Sequence, residues 1–206
     1  MAIITLPAGL RIQSCTIGQT RHDILELSEA TGHQAARTFG PARWRMAITS
    51  PQAMRQADAV VWESLLLRLR GGINHLAIGD PVRKVPRGTM RGTLTLSGTH
   101  TAGLTTLTIT GGAGQANTTL LAGDWLQIGS GLTGQLVKVV TDATANGSGV
   151  ISAVVEPPLR IQYATSTAVT WNTPIAHFRA TSSPQWAYSP GLVAGGFALD
   201  LLESWT

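Results

Sequence analysis

Between Thr93 and Glu156 the chain nearly stops carrying charge, with only Asp124, Lys138, Asp142 and Glu156 ionised, while glycine and threonine contribute eleven and thirteen residues. Such a stretch cannot build a long amphipathic helix, because glycine interrupts it at short intervals and threonine favours extended backbone. Short β-prone runs cover Thr93 to Ser97, Leu104 to Thr110, Trp125 to Gly129, Gln135 to Thr141 and Val150 to Glu156, separated by glycine-rich turns. That pattern predicts a small antiparallel barrel or sandwich. Asn146-Gly147 is a hairpin signal between two of the runs. Pro157-Pro158 closes the segment, since neither proline can donate to a strand ladder. The shift in composition makes 93–156 a candidate domain of its own.

The flanking sequence reads differently. One helix is expected over 51–70, with Ser50 as N-cap, Pro51 at the first helical position and Gly71-Gly72 as the stop. Met54, Ala57, Val61 and Leu65, with an adjoining stripe of Trp62, Leu66 and Leu69, would form its buried face. Asp58 and Glu63 on the other side argue against a membrane-surface helix. In Arg43-Trp44-Arg45-Met46-Ala47-Ile48 the alternation places Trp44, Met46 and Ile48 on one face of a half-buried strand. Ile73 to Ile78 reads as a second strand, ended by Gly79-Asp80-Pro81, and His75 within it as an ordinary strand residue. Ile3 to Leu6 and Arg11 to Ile17 are weaker strand candidates, and 18–42 reads as a long loop. Ala168 to Trp171, Ile175 to Thr181 and Gly196 to Glu203 are expected to rejoin the first sheet. The fold class is therefore mainly β with one principal helix.

Charge is as unevenly spread as glycine. Residues 1–92 hold twelve Lys/Arg against six Asp/Glu, and 93–206 hold three against five. The densest basic stretch, Arg83, Lys84, Arg87 and Arg91, is threaded through Pro81, Pro86 and Gly88. Phosphate tracking by such a patch is usually joined by stacking aromatics, and none lies between Trp62 and Trp125. A solvated loop or a contact with a neighbouring subunit is the better reading. With 43% apolar and 13% charged residues, the chain is too hydrophobic for disorder and carries about half the usual charge. A low-charge surface raises the expectation that other subunits cover part of it. No apolar run reaches about 18 residues, no signal peptide is expected from Met1 to Leu10, and the single Cys15 fits a reducing compartment.

Motifs for chemistry are sparse. Gly129-Ser130-Gly131-Leu132-Thr133-Gly134 spells a dinucleotide fingerprint, yet Gln135 to Val140 behind it is strand-like where the motif needs a helix. A glycine-rich hairpin explains it better. His22, His33, His75, His100 and His177 lack metal-ligand spacing, no carboxylate pair suggests acid/base work, and Cys15 reads as a small buried hydrophobe. No enzyme activity, cofactor or metal is expected.

One set of longer segments goes further. Trp44-Arg45-Met46-Ala47-Ile48, Leu65-Leu66-Leu67-Arg68-Leu69-Arg70-Gly71-Gly72, Ala77-Ile78-Gly79-Asp80-Pro81, Pro86-Arg87-Gly88 and Gly196-Phe197-Ala198-Leu199 resemble the distal tail and minor tail proteins of long-tailed bacteriophages. Gly123-Asp124-Trp125-Leu126-Gln127-Ile128-Gly129 and Glu156-Pro157-Pro158-Leu159-Arg160 are similar to segments of the same proteins. The resemblance implies a split-barrel-like core with one helix, formed by 1–92 and 157–206. It carries a small antiparallel β domain inserted at 93–156, for which an OB-like barrel is a candidate. It also implies a homo-oligomeric ring, generally a hexamer, joining tail tube protein to baseplate hub protein at the virion's tail tip, after synthesis in the host cytoplasm and without membrane insertion. DNA passes transiently through the channel of such a ring. Arg83, Lys84, Arg87 and Arg91 then become candidate subunit-interface or channel contacts. The rival classes are a carbohydrate-binding β module for host attachment, stacking sugars on Trp125, Trp171 or Trp186, and a nucleic-acid-binding protein.

Overall fold

The computed structural model describes residues 1–182 and 196–205. The first half of the chain contributes β1 (Ile3–Thr5), β2 (Ser14–Thr20), β3 (Asp23–Leu27), β4 (Gln34–Thr38), β5 (Arg43–Thr49), helix α1 (Gln56–Leu69) and β6 (His75–Ile78). Then come β7 (Leu94–Leu96), β8 (Thr106–Thr110), β9 (Thr119–Leu120), β10 (Trp125–Ile128), β11 (Gln135–Val139), β12 (Ala143–Thr144) and β13 (Val150–Glu156). The chain ends with β14 (Ala168–Thr170), β15 (Ala176–Ala180) and β16 (Ala198–Glu203). The fold is mainly β with one principal helix, a split-barrel-like sheet and helix joined to a closed antiparallel barrel.

A six-stranded sheet runs β1-β6-β15-β16-β5-β2, with β1 parallel to β6 and every other neighbour antiparallel. Strand alternation sends Trp44, Met46, Ile48, Leu76, Ile78, Phe178, Leu199 and Leu201 into one core. Helix α1 seals that core with Ala59, Trp62, Leu65, Leu66 and Leu69, and Trp62 stacks on Phe197 with ring centroids 5.9 Å apart. Arg70 in the left-handed region (φ 48°), followed by Gly71 and Gly72 at positive φ, ends the helix at the expected place. Its start is corrected: the N-cap is Arg55, not Ser50. The Ser50 hydroxyl is already committed, accepting the Phe197 N–H at 2.7 Å and donating to the Pro51 carbonyl. Ala57 is exposed and Val61 half-buried, because the face turned to the core runs through Ala59, Trp62, Leu65, Leu66 and Leu69.

The barrel closes in the order β10-β11-β13-β8-β7-β14, all neighbours antiparallel. It has one strand more than the five of an OB barrel. Its interior is filled by Leu94, Leu96, Leu107, Ile109, Leu126, Ile128, Val137, Val139, Ile151 and Val155. Ala168–Thr170 corrects another expectation: it does not rejoin the first sheet but bridges β10 to β7 and completes the barrel. Closure leaves no free strand edge there, which a segment with so few charges could not otherwise protect. Gly131–Thr133 is a tight turn between β10 and β11, as the hairpin reading of the glycine fingerprint requires.

The region 18–42 is also corrected. It is the outer part of a long two-stranded ribbon and not a loop. β2 pairs with β5 from Ser14↔Thr49 to Thr20↔Arg43, and β3 with β4 from Asp23↔Thr38 to Leu27↔Gln34. The register slips by two residues between the halves, and the Phe39 N–H donates to the His22 carbonyl at 2.7 Å within the slip. The inner half belongs to the sheet. The outer half forms a separate two-stranded arm.

Candidate functional site

The linker from Gly79 to Gly92, between β6 and β7, holds the four cations singled out in the sequence. Two buried aspartates shape it. Asp80 Oδ1 accepts the N–H groups of Val82 (2.9 Å) and Arg83 (3.1 Å), while Oδ2 accepts Arg83 Nε (2.9 Å) and Trp125 Nε1 (3.0 Å). Burial alone would raise the Asp80 carboxyl, but the hydrogen bonds from Arg83, Val82 and Trp125 outweigh it and hold the group below its ordinary value. Asp124 accepts the N–H groups of Arg87 (2.7 Å), Gly88 (3.1 Å) and Leu121 (2.8 Å). At Gly88 a Cβ would overlap the Thr119 carbonyl oxygen, so only glycine lets the linker lie this close to the barrel.

These fixtures decide which cations face outward. Arg83 is held by Asp80, Arg87 Nη2 donates to the Ala122 carbonyl (2.7 Å), and Arg91 donates to the Met90 (2.7 Å) and Pro86 (3.0 Å) carbonyls. Arg91 also lies 5.0 Å from the centre of the Trp171 ring. Among the described residues the Lys84 ammonium has no hydrogen-bond or ion-pair partner, and it stands between Val82, 84% exposed, and Val85, 50% exposed. The four cations thus share one linker, but their guanidiniums are largely occupied and Lys84 is the outward charge.

The second feature is the arm. Every residue of β3 is exposed, as is every residue of β4 but the half-buried Ala35. Leu25 is 76% exposed and Leu27 61%, with Ile24 and Phe39 also largely open. Glu26 faces Arg37 at 3.9 Å, and Glu29 occupies the turn, which Gly32 closes at φ 64°. The base of the arm is tied to the barrel by Arg21, whose Nη2 meets Glu156 Oε2 at 2.8 Å. Beside that tie a cleft of about 490 Å³ is lined by Thr38, Pro41, Gly103, Pro158 and Arg160. Sequence reasoning missed the arm. The usable signal was Ser28-Glu29-Ala30-Thr31-Gly32, a turn cluster between two short runs.

A buried junction fixes barrel to sheet. Trp44 and Trp125 meet edge to face at 4.7 Å, and Trp44 Nε1 donates to the Leu136 carbonyl at 2.7 Å. Arg160 reaches Glu203 Oε1 at 3.2 Å and donates to the Leu132 and Gly134 carbonyls, and Glu203 Oε2 accepts the Trp44 N–H at 3.0 Å. Burial lifts the Glu203 carboxyl above its ordinary range despite the Trp44 N–H and the Arg160 charge. Trp205 lies between the guanidiniums of Arg43 (4.5 Å) and Arg160 (4.4 Å).

The remaining candidates do not converge. His22 and His33 lie on the exposed arm, and His75 and His177 are buried on β6 and β15. His100 is a barrel residue whose Nε2 accepts the Thr108 N–H at 2.9 Å. Among the described residues no group of three or more His, Cys, Asp or Glu could hold a metal ion. Cys15 packs against the sheet core, and burial, then the Asp80 charge, push its thiol upward. Trp125 is buried, one face of Trp171 carries Arg91, and Trp186 lies outside the described residues. No described helix is long and apolar enough to cross a membrane. No protein-family model matches the chain, and no curated protein matches it.

Proposed function

We propose that this chain is a structural virion protein of a phage tail tip, assembling with copies of itself into a ring, generally a hexamer, around the DNA channel. The ring joins the tail tube protein to the baseplate hub protein, and the chain acts by pairing surfaces and catalyses nothing. The observation that carries this reading is the arm. An isolated two-stranded ribbon is marginal in water, and this one holds Leu25 and Leu27 away from its own core. A surface of that kind is stabilised when a neighbouring subunit covers it. Strand β2 adds a seven-residue sheet edge, and a ring of repeated head-to-tail contacts is one way to cover such edges without leaving any open. The segments that resemble distal tail proteins give the ring its place in the virion, and the linker cations its subunit or channel contacts.

The glycan and nucleic-acid readings draw less support, because Trp125 is buried and three of the four linker cations are engaged within the chain. Gold-labelled antibody against the purified protein, applied to the phage particles that encode it, should decorate the tail tip. Label on capsids, along the whole tail or on no particle would reject the assignment.

A further inference from the structure

We propose that the tip of the arm seats on the linker of the next copy of the chain, placing Glu29 against Lys84. This rests on the ring reading and names the two surfaces that meet. The complementarity is twofold. The arm tip presents Leu25 and Leu27 on one face of β3 with Glu29 in the turn beyond them, and Glu29 joins no ion pair among the described residues. The linker presents Val82 and Val85 beside Lys84. Each surface pairs exposed aliphatic side chains with a charge that joins no ion pair among the described residues, and the two charges are opposite in sign. Among the described residues no hydrogen bond or ion pair joins the arm tip to the linker within one chain.

Two different patches meeting in this way make a heterologous contact, the kind that closes rings when its rotation allows. The linker suits the receiving role because Asp80 and Asp124 fix its backbone, so docking orders few further residues. A nucleic-acid backbone is a poorer occupant, since Arg87 and Arg91 already donate to the chain's own carbonyls and Arg91 covers one face of Trp171.

The test uses the full-length protein with Glu29→Lys, Lys84→Glu and the two combined, and reads assembly mass against concentration. All these positions are exposed, so folding should survive, and near-ultraviolet circular dichroism checks that. Each single reversal should raise the concentration for half-assembly by about tenfold, and the combined variant should recover most of that loss. Single reversals without effect, or a combined variant no better than the worse single one, would overturn the docking while leaving the ring standing. Salt-dependent binding of a DNA duplex, abolished by Lys84→Glu with assembly unchanged, would also overturn it. A wild-type protein that stays monomeric at all concentrations would reject the ring reading and the docking together.

Discussion

The buried ion pair at the junction offers the sharpest test of how barrel and sheet are held together. The Arg160 and Glu203 side chains are 4% and 2% exposed, so solvent does little to screen either charge. Arg160→Met keeps much of the apolar stem but removes the guanidinium from Glu203 and from the Leu132 and Gly134 carbonyls. Removing one partner of a buried pair typically costs about 3–5 kcal/mol, because the other charge stays buried and uncompensated. For a chain of this size that corresponds to a fall in Tm of roughly 6–20 °C. Glu203 keeps its bond from the Trp44 N–H, and its carboxyl, already raised by burial, should rise further without the guanidinium. A carboxyl raised in the folded state contributes stability that is complete below its unfolded value and lost as pH rises through the folded one. The variant should therefore be weakest at neutral and alkaline pH and partly rescued in mild acid. Adding Glu203→Gln should return about half the loss at neutral pH, since no bare charge is left. Urea unfolding of the wild type and the two variants at several pH values measures this. A loss under about 1 kcal/mol for Arg160→Met, or one that does not change with pH, would refute the reasoning.

Three further outcomes follow from the same geometry. Asp80→Ala removes the acceptor of four hydrogen bonds and should cost about 2–3 kcal/mol in urea unfolding, with faster proteolysis between Val82 and Val85. In the wild type the lowered Asp80 carboxyl contributes stability that is lost as pH falls through its folded value, and the alanine variant should lack that acid-side contribution. Gly88→Ala must push back the Thr119 carbonyl and should cost about 1–3 kcal/mol by thermal unfolding, whereas Gly98→Ala, with open space around it, should pay only for its positive φ. His75 is buried and held below its ordinary value by burial first and then by Arg179 and His177, so it contributes stability above its unfolded value that is lost as pH falls. His75→Gln should flatten the pH dependence of Tm below about pH 6.5, the unperturbed histidine value.

What could be read from the residues was whatever has a local physical cause. Trp44, Met46 and Ile48 alternate because one face of β5 is buried, and β-prone runs between glycine-rich turns mark five of the six barrel strands. The stop at Arg70 to Gly72 was legible because positive φ favours glycine. The misread parts depend on distant partners. Ser50 looks like a cap until Phe197, far along the chain, claims its hydroxyl. Ala168–Thr170 is too short to announce which sheet it joins, and the order of barrel closure decides it. The arm reads as a loop in the sequence because it packs on no core, so neither face is obliged to be apolar. At the candidate site the basic stretch was visible as four cations, but their inequality was not. That depends on carbonyls and carboxylates brought in by the folded linker and barrel.

Self-assembly through the arm is read by native mass spectrometry of the purified protein. The expected species is a closed oligomer, near 130 kDa for six copies of the 21.7 kDa chain, and a folded monomer when residues 22–39 are replaced by a short Asn-Gly turn. A full-length protein that remains at 21.7 kDa across all concentrations, or an arm-deleted protein that still forms the ring, would contradict it.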